Sequence, residues 1–182
     1  DAHILAHFIE DKSPQLPFLC LLVSGGHTQI VVVKEDYVID VLGKTIDDAA
    51  GEAFDKAGKM LNLGYPAGPI IDKLATQGDA TKFTFNTPKV EGLNFSFSGL
   101  KTSILYFLQK EVKANPDFVQ TNLNDLCASI QSTIVAILMD KLELAARETG
   151  INHIAMAGGV SANSGLRQAL LDREKTLGWT VY

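Results

Sequence analysis

The 182-residue sequence predicts an α/β fold, and three observations lead to that class. Two short apolar runs, residues 18–23 and 153–157, are each followed within two residues by a Gly-Gly pair, which is typical of a buried strand that ends in a tight loop. Apolar residues repeat at helical spacing through residues 122–148. Strands that alternate with helices along a chain are expected to form a sheet with helices packed on it.

Three consecutive strands are predicted at residues 18–24, 29–34 and 37–43. The loop Ser24–Thr28 joins the first two as a hairpin. Its two glycines let backbone N–H groups approach an anion, the flanking hydroxyls add donors, and His27 adds a possible cation, which together suit a phosphate-holding loop. An ordinary hairpin turn explains the same residues equally well.

The segment Thr45–Asp48 resembles a capping box and predicts a helix that continues to about Leu61. A rigid Gly/Pro turn follows, and residues 79–96 are polar and without periodicity. Asn115-Pro116 and Gly150 each end a helix. The remaining helices are predicted at residues 70–77, 98–114, 122–148 and 163–177.

A second glycine loop, Gly158–Asn163, follows the predicted strand 153–157, and its Asn begins the next helix as a capping residue. One such loop is often only a tight turn, but two in one chain suggest a nucleotide held between two elements of an α/β lobe. Three adjacent strands, then helices alternating with strands, correspond to half of an actin/Hsp70-like (ASKHA) nucleotidase core. Because the chain begins inside a helical pattern and stops inside a strand pattern, we expect it to be an internal piece of a longer protein.

Composition sets limits on the function class. A formal charge of −5 argues against a general nucleic-acid coat, although a local basic patch remains possible. No apolar run approaches the roughly 20 residues that a membrane span needs, and no secretory signal is visible, so a cytoplasmic protein without a membrane partner is expected. Cys20 and Cys127 lie in apolar segments and are predicted to be buried thiols.

Five motifs in order along the chain closely resemble one family, TsaD, the tRNA N6-adenosine threonylcarbamoyltransferases, formerly called Gcp or O-sialoglycoprotein endopeptidase. The resemblance covers the whole chain and is specific because all five motifs occur in register. They are Leu22–Gln29, Ile46–Lys56, Tyr65–Pro69, Phe95–Thr102 and Met156–Asn163.

The resemblance implies a two-lobed actin/Hsp70-like enzyme that transfers a threonylcarbamoyl group from threonylcarbamoyl-AMP to N6 of adenosine 37 in tRNAs reading codons that begin with A. In bacteria it implies a complex with a paralogous actin-like subunit and a P-loop ATPase subunit. Residues 1–14 then correspond to the end of an interlobe metal-binding helix. Residues 15–182 correspond to a C-terminal-type lobe with an insertion at about 64–120. Such a piece is expected to be inactive alone.

The same resemblance assigns substrate-binding positions. One stretch faces the phosphate and carbamoyl side of the adenylate, and four single positions contact the nucleotide. The stretch consists of Leu22, Val23, Ser24, Gly25 and Gly26, and the single positions are Asp55, Gly68, Asp72 and Asn163. Carboxylates suit the paired hydroxyls of a ribose, because a carboxylate accepts two hydrogen bonds. Ala67 stands where many relatives have glycine.

The roles assigned to several side chains have a second interpretation. Asp55 shares a helix face with Asp48 and Glu52, and a solvated acidic face explains that pattern too. His27 is a candidate catalytic residue as a phosphate contact or proton donor, or else a turn residue satisfied by backbone. Lys101 is either a contact for tRNA phosphate or simply solvated.

The family binds a divalent ion, iron or zinc, through a His-x-x-x-His helix and a distant Asp. Aligned with the family motif, His3 falls at the second ligand and His7 at a position that is usually no ligand, and the other two ligands fall outside the chain.

Two other classes of function are considered. A metalloendopeptidase, as in the former name, needs a Glu base beside its ligands, and Glu10 is too far along the helix. The intact glycine loops and His3 argue against a non-catalytic assembly lobe for the parent protein, whereas that description still fits this piece taken alone.

Overall fold

The computed structural model describes residues 14–87 and 89–182. The predictions on residues 1–13, which include His3 and His7, lie outside the described residues. The described elements, in chain order, are β1 (Phe18–Val23), β2 (Thr28–Val33), β3 (Ile39–Lys44), α1 (Ala50–Met60), α2 (Ala67–Ala75), α3 (Ser98–Ala114), α4 (Phe118–Thr121), α5 (Leu123–Thr149), β4 (His153–Ala157), a 3-10 turn (Gly159–Ala162), α6 (Ser164–Leu177) and β5 (Thr180–Val181).

The five strands form one mixed sheet in the order β3-β2-β1-β4-β5. The hairpins β1-β2 and β2-β3 are antiparallel, whereas β4 runs parallel to both β1 and β5. Leu22 pairs with Ala157, so β1 and β4 end at the same edge of the sheet. The two glycine loops predicted from the sequence therefore leave the sheet side by side.

The main core lies between the helices and one face of the sheet. Alternate residues of β1, namely Leu19, Leu21 and Val23, belong to it, while Phe18 and Cys20 belong to a smaller cluster on the opposite face. The long helix α5 crosses the main core with an apolar stripe that includes Leu126, Ile130, Ile134 and Leu138. None of the described helices is long and apolar enough to span a membrane.

The two cysteines are buried free thiols, as predicted. Desolvation raises the pKa of the Cys20 thiol to about 12 and that of Cys127 to about 11. Because the thiolate is the reactive form, both side chains are unreactive core groups at neutral pH.

The predicted start of α1 at Thr45 is wrong, since the helix begins at Ala50. The Thr45 hydroxyl instead donates to the carbonyl of Asp48. The first helical N–H group, that of Ala50, donates to Thr28 Oγ1 at 2.8 Å, across 22 residues of sequence. A cap from β2, which a local sequence pattern does not show, therefore stabilises the helix start together with Glu52, whose Oε1 accepts from Ala49 N–H at 3.1 Å.

The other helix boundaries lie near their predicted positions. Helix α2 begins three residues earlier than expected, at Ala67. Helix α5 ends at Gly150, whose φ of +68° is the left-handed conformation that glycine adopts most easily. Asn163 caps α6 as predicted, because its Oδ1 accepts from the N–H of Leu166 at 2.9 Å.

The carboxylate of Asp47 lies against the start of α3. It accepts hydrogen bonds from the N–H of Phe97 at 2.8 Å and of Ser98 at 3.3 Å, and from the hydroxyls of Ser96 and Ser98. Partial burial raises the pKa of Asp47, but the hydrogen bonds from Ser96, Phe97, Ser98 and Asp48 together lower it below its usual value. This one side chain therefore ties the segment before α1 to the beginning of α3.

Asp47→Ala is expected to lower the free energy of unfolding by about 1 kcal/mol at pH 7, the usual contribution of a helix cap. Because the folded-state pKa is depressed, the contribution is complete above the unfolded pKa of about 3.9 and is lost as the pH falls through the folded value. Urea unfolding of parent and variant between pH 7 and pH 3 checks this. A stability difference that stays constant over that range would contradict it.

Candidate functional site

A cavity of about 360 Å³ opens at the sheet edge where β1 and β4 end. Three regions of the chain form its wall: the β1-β2 loop, the helices α1 and α2, and the segment after β4. The lining residues are Gly25, Gly51, Phe54, Asp55, Pro66, Gly68, Pro69, Asp72, Gly159, Val160, Ala162 and Asn163.

The β1-β2 loop is a tight turn closed on itself. Ser24 N–H donates to the His27 carbonyl at 2.8 Å, and His27 N–H donates to Ser24 Oγ at 3.0 Å. Gly25 and Gly26 are exposed, and within the described part of the chain neither of their N–H groups donates to another residue. The turn therefore presents two backbone donors beside the cavity, which suits an anion.

The N-terminus of α1 packs directly on this turn. Gly51 N–H donates to the Ser24 carbonyl at 3.2 Å. A Cβ at Gly51 would stand 2.6 Å from the Cα of Gly25, so only glycine permits this approach. The positive end of the helix dipole thereby lies next to the free donors, and both favour a negatively charged group.

The loop after β4 approaches the end of β1 just as closely. Gly158 has a φ of +97°, and a Cβ there would stand 2.1 Å from the carbonyl oxygen of Val23. Gly159, the next residue, has open space around its Cβ position and lines the cavity. The first glycine of the pair is thus required by packing, and the second leaves the wall of the cavity free of a side chain.

Asp55 connects α1 to the start of α2. Its Oδ1 accepts from the N–H of Ala67 at 2.9 Å, and within the described residues its Oδ2 has no hydrogen-bond partner. A Cβ at Gly58 would lie 2.2 Å from the Cβ of Ala67, which shows how closely the two helices meet. This contact places Gly68 in the cavity wall, with one Asp55 oxygen available to accept from a bound hydroxyl.

Asp72 and Asn163 form another part of the wall and are linked by hydrogen bonds through Gln131. Asp72 accepts from Ser164 N–H at 3.0 Å, from Ser164 Oγ at 2.6 Å and from Gln131 Nε2 at 3.1 Å. Asn163 Nδ2 donates to Gln131 Oε1 at 2.7 Å. Residues from α2, α5 and the start of α6 therefore form one polar network behind the cavity.

The structure brings together only part of the predicted site. Of the nine predicted substrate-binding residues, five line the cavity: Gly25, Asp55, Gly68, Asp72 and Asn163. Leu22 and Val23 lie in β1, where alternation sends their side chains to opposite faces of the sheet. Ser24 Oγ is held within the turn, and Gly26 and His27 lie outside the lining. The Thr28 hydroxyl, expected to face an anion, is buried as the cap of α1.

Sequence reasoning missed several lining residues, most of which lie inside the motifs already singled out. Gly51 and Phe54 belong to the motif of Asp55, and Pro66 and Pro69 to that of Gly68. Gln131, which does not line the cavity but bonds to the lining residues Asp72 and Asn163, was also missed, because α5 was assigned only to the core. Its signal was a long polar side chain at a position that shares the apolar face of the helix with Cys127 and Ile134.

A metal site is not formed by the part of the chain that the structure describes. Among residues 14–87 and 89–182, no group of three or more His, Cys, Asp or Glu side chains is close enough to hold an ion. The described residues alone therefore do not fit a divalent metal.

The sequence model of the TsaD family, described as tRNA N6-adenosine threonylcarbamoyltransferase, matches residues 1–182. Two curated relatives with that same description come from Riemerella anatipestifer, 63% identical over 184 residues, and Christiangramia forsetii, 60% identical over 184 residues. Both matches include 100% of this chain and 54% of the relative, so the chain spans about half the length of the curated relatives it matches.

Two solved structures share the fold at low sequence identity. Full-length HypF, crystallised in a phosphate- and nucleotide-bound form, matches 92% of this chain and 36% of its own length with a TM-score of 0.66 and 13% identity. The second structure is component A of the Acidaminococcus fermentans (R)-2-hydroxyglutaryl-CoA dehydratase. The match covers 90% of this chain and 53% of the length of component A, with a TM-score of 0.52 and 18% identity. These likenesses confirm the predicted actin/Hsp70-like fold class.

Proposed function

Because the chain belongs to the TsaD family of tRNA N6-adenosine threonylcarbamoyltransferases, we propose that the full-length protein that contains it makes threonylcarbamoyladenosine in tRNA. The donor is threonylcarbamoyl-AMP, and the acceptor is N6 of adenosine 37 in tRNAs reading codons that begin with A. The observation that carries the proposal is the cavity, whose wall joins four of the five family-like motifs although they lie far apart in the sequence.

The cavity walls suit the parts of an adenylate. The free N–H groups of Gly25 and Gly26, with the positive end of α1 behind them, would hold the phosphate. Asp55 and Asp72 would accept hydrogen bonds from the ribose hydroxyls. Gly68 and Gly159 leave room for close contact with the sugar and the base. A volume of about 360 Å³ lies at the lower end of the range of small-molecule sites.

The reaction is a direct acyl transfer. The N6 nitrogen attacks the carbamoyl carbon, the new N–C bond forms, the C–O bond to the phosphate breaks, and AMP leaves with the bonding electrons while N6 loses a proton. The chain's contribution is to orient the adenylate and to stabilise the charge on the leaving phosphate through the loop donors. His27 lies outside the cavity lining, and we assign it no step.

A divalent ion, iron or zinc, is part of the proposal for the full-length protein, with His3 as one ligand. Bound near the carbamoyl group, such an ion would polarise the carbonyl. Because the described residues do not form a metal site, no step is derived through it.

The function is tested by incubating the full-length protein with threonylcarbamoyl-AMP and an unmodified tRNA of this class, followed by nucleoside analysis of the tRNA. Formation of N6-threonylcarbamoyladenosine at position 37 supports the proposal. Tight binding of the adenylate without transfer to any tRNA, even with the partner subunits added, would contradict it.

Asp55→Asn is expected to weaken AMP binding by about tenfold to a hundredfold, because a charge-assisted hydrogen bond contributes about 1.5–3 kcal/mol. The amide oxygen can still accept from Ala67 N–H, so the helix contact remains. Calorimetry on the full-length protein measures the change. Glu91→Gln, an exposed charge outside the cavity, is the control. Binding within twofold of the parent would mean that Asp55 belongs only to a solvated acidic face.

A further inference from the structure

We infer that Gln131, on the long helix α5, is a positioning residue that holds Asp72 and Asn163 in the cavity wall. The inference rests on the proposed function, which gives those two side chains a nucleotide to contact. Gln131 is buried, with 7% of its surface exposed, and it does not line the cavity. Its effect on a ligand must therefore pass through its two hydrogen-bonded neighbours.

One backbone N–H group determines which atoms donate and which accept in this hydrogen-bond network. Leu166 N–H donates to Asn163 Oδ1 at 2.9 Å, and a backbone N–H can only donate. The oxygen of the Asn163 amide is thereby fixed toward α6. Its Nδ2 must face the other way, where it donates to Gln131 Oε1 at 2.7 Å.

The same reasoning extends to Asp72. With Oε1 of Gln131 accepting from Asn163, the Nε2 end faces α2 and donates to Asp72 Oδ1 at 3.1 Å. An ionised carboxylate can only accept, so donor and acceptor match at every step. Together with the two bonds from Ser164, Asp72 receives three hydrogen bonds on about four acceptor positions. The carboxylate is held in one orientation and still has capacity for a ligand hydroxyl.

Position 131 therefore needs a side chain that accepts on one side and donates on the other. Glutamine does both, ionised glutamate only accepts, and methionine of similar length does neither. Gln131→Glu would bring two carboxyl groups within hydrogen-bond distance of each other. Such a pair keeps one shared proton at acidic pH and loses it as the pH rises, because like charges disfavour full ionisation.

Few charged groups surround Asp72 and the glutamate that the substitution introduces at position 131. Asp72 and Asp55 are the titratable groups that line the cavity in the described residues, helix α5 contributes none to the lining, and Ser164 is neutral. When the pair of carboxyl groups at positions 131 and 72 holds a proton, the new carboxyl can donate to Asp72, so every hydrogen bond of the network keeps its donor and its acceptor. Without that proton, repulsion displaces Asp72. Relative to the parent at the same pH, the variant should therefore bind more weakly as the pH rises.

The experiment measures AMP binding to the full-length protein by calorimetry at pH 5.5 and pH 8.5, each variant relative to the parent at the same pH. Gln131→Glu is expected to bind within about threefold of the parent at pH 5.5 and at least about tenfold more weakly at pH 8.5. Gln131→Met is expected to be weaker by a similar factor at both values. Gln120→Glu, an exposed change on α4, is the matched control and is expected to follow the parent.

A double variant separates this role from a loss of packing. Gln131→Glu combined with Asp72→Asn lets the new amide donate to the new carboxylate, so the pH dependence should disappear even if overall affinity is lower. Thermal unfolding at both pH values identifies any variant that has lost its fold. Dependence on pH that persists in the double variant, or a folded Gln131→Glu that follows the parent, overturns the inference and leaves the proposed function standing. A parent that binds no AMP overturns both.

Discussion

Gly25→Val is expected to reduce AMP binding by at least about a hundredfold in the full-length protein that contains this chain, while the free energy of unfolding changes by less than about 1 kcal/mol. Gly25 lines the cavity, and a Cβ at this position would meet no atom within 4 Å. The Cβ of a valine would therefore meet no protein atom, and its two methyl groups would take up space assigned to the phosphate. It would also crowd the N–H groups that are proposed to bind it.

Gly26→Val is the matched control for this substitution. Gly26 is the next residue of the same turn, its Cβ position is equally open, and it does not line the cavity. Valine there keeps the backbone N–H, so binding should fall far less than in Gly25→Val. Calorimetry with AMP and urea unfolding of both variants give the comparison. Unchanged affinity in a folded Gly25→Val protein would remove this turn from the site, and equal losses of affinity in the two variants would contradict the special place given to Gly25.

Gly158→Ala is expected to lower the free energy of unfolding by about 2–6 kcal/mol, a large effect for the addition of one methyl group. Overpacking contributes about 1–3 kcal/mol, because the new Cβ would lie 2.1 Å from the carbonyl oxygen of Val23, which belongs to the sheet and cannot easily move. The φ of +97° adds roughly 1–3 kcal/mol of backbone strain for any residue other than glycine.

The neighbouring glycine provides the comparison. Gly159→Ala adds the same methyl group where nothing lies within 4 Å, and its φ is not in the left-handed region. Its stability should stay within about 1 kcal/mol of the parent. Urea unfolding followed by circular dichroism distinguishes the two variants. Similar stabilities would show that the ends of β4 and β1 can separate without penalty.

Much of the fold follows from local patterns. The β-branched run at residues 30–33 of β2, the apolar stripe of α5 and the capping Asn163 are each readable in a short window of sequence, and the structure confirms all three. The two Gly-Gly loops were singled out correctly for the same reason, since glycine pairs after apolar runs are a local signal. The five family-like motifs led to the family, which the match over residues 1–182 confirms.

The details of the site depend on contacts that no short window contains. The sequence could not separate Gly25 from Leu22 and Val23 within one motif, because only the pairing of β1 in the sheet decides which residues leave the edge and reach the cavity. Thr28 could not be recognised as a cap, because its partner Ala50 follows 22 residues later. The predicted start of α1 at Thr45 was wrong in part because this long-range cap, together with Glu52 on Ala49 N–H, places the first helical residue at Ala50.

By itself, then, the sequence determined the strands, most of the helices, the two glycine loops and the family, because propensity, periodicity and motif order are local properties. Only the tertiary structure decided which side chains share the cavity and what holds them. Asp72 meets Ser164 across 92 residues and Asn163 meets Gln131 across 32. Such contacts arise when β1 and β4 pair in parallel and the helices pack on one face of the sheet, and hydrogen bonding between side chains so far apart in the chain depends on that packing.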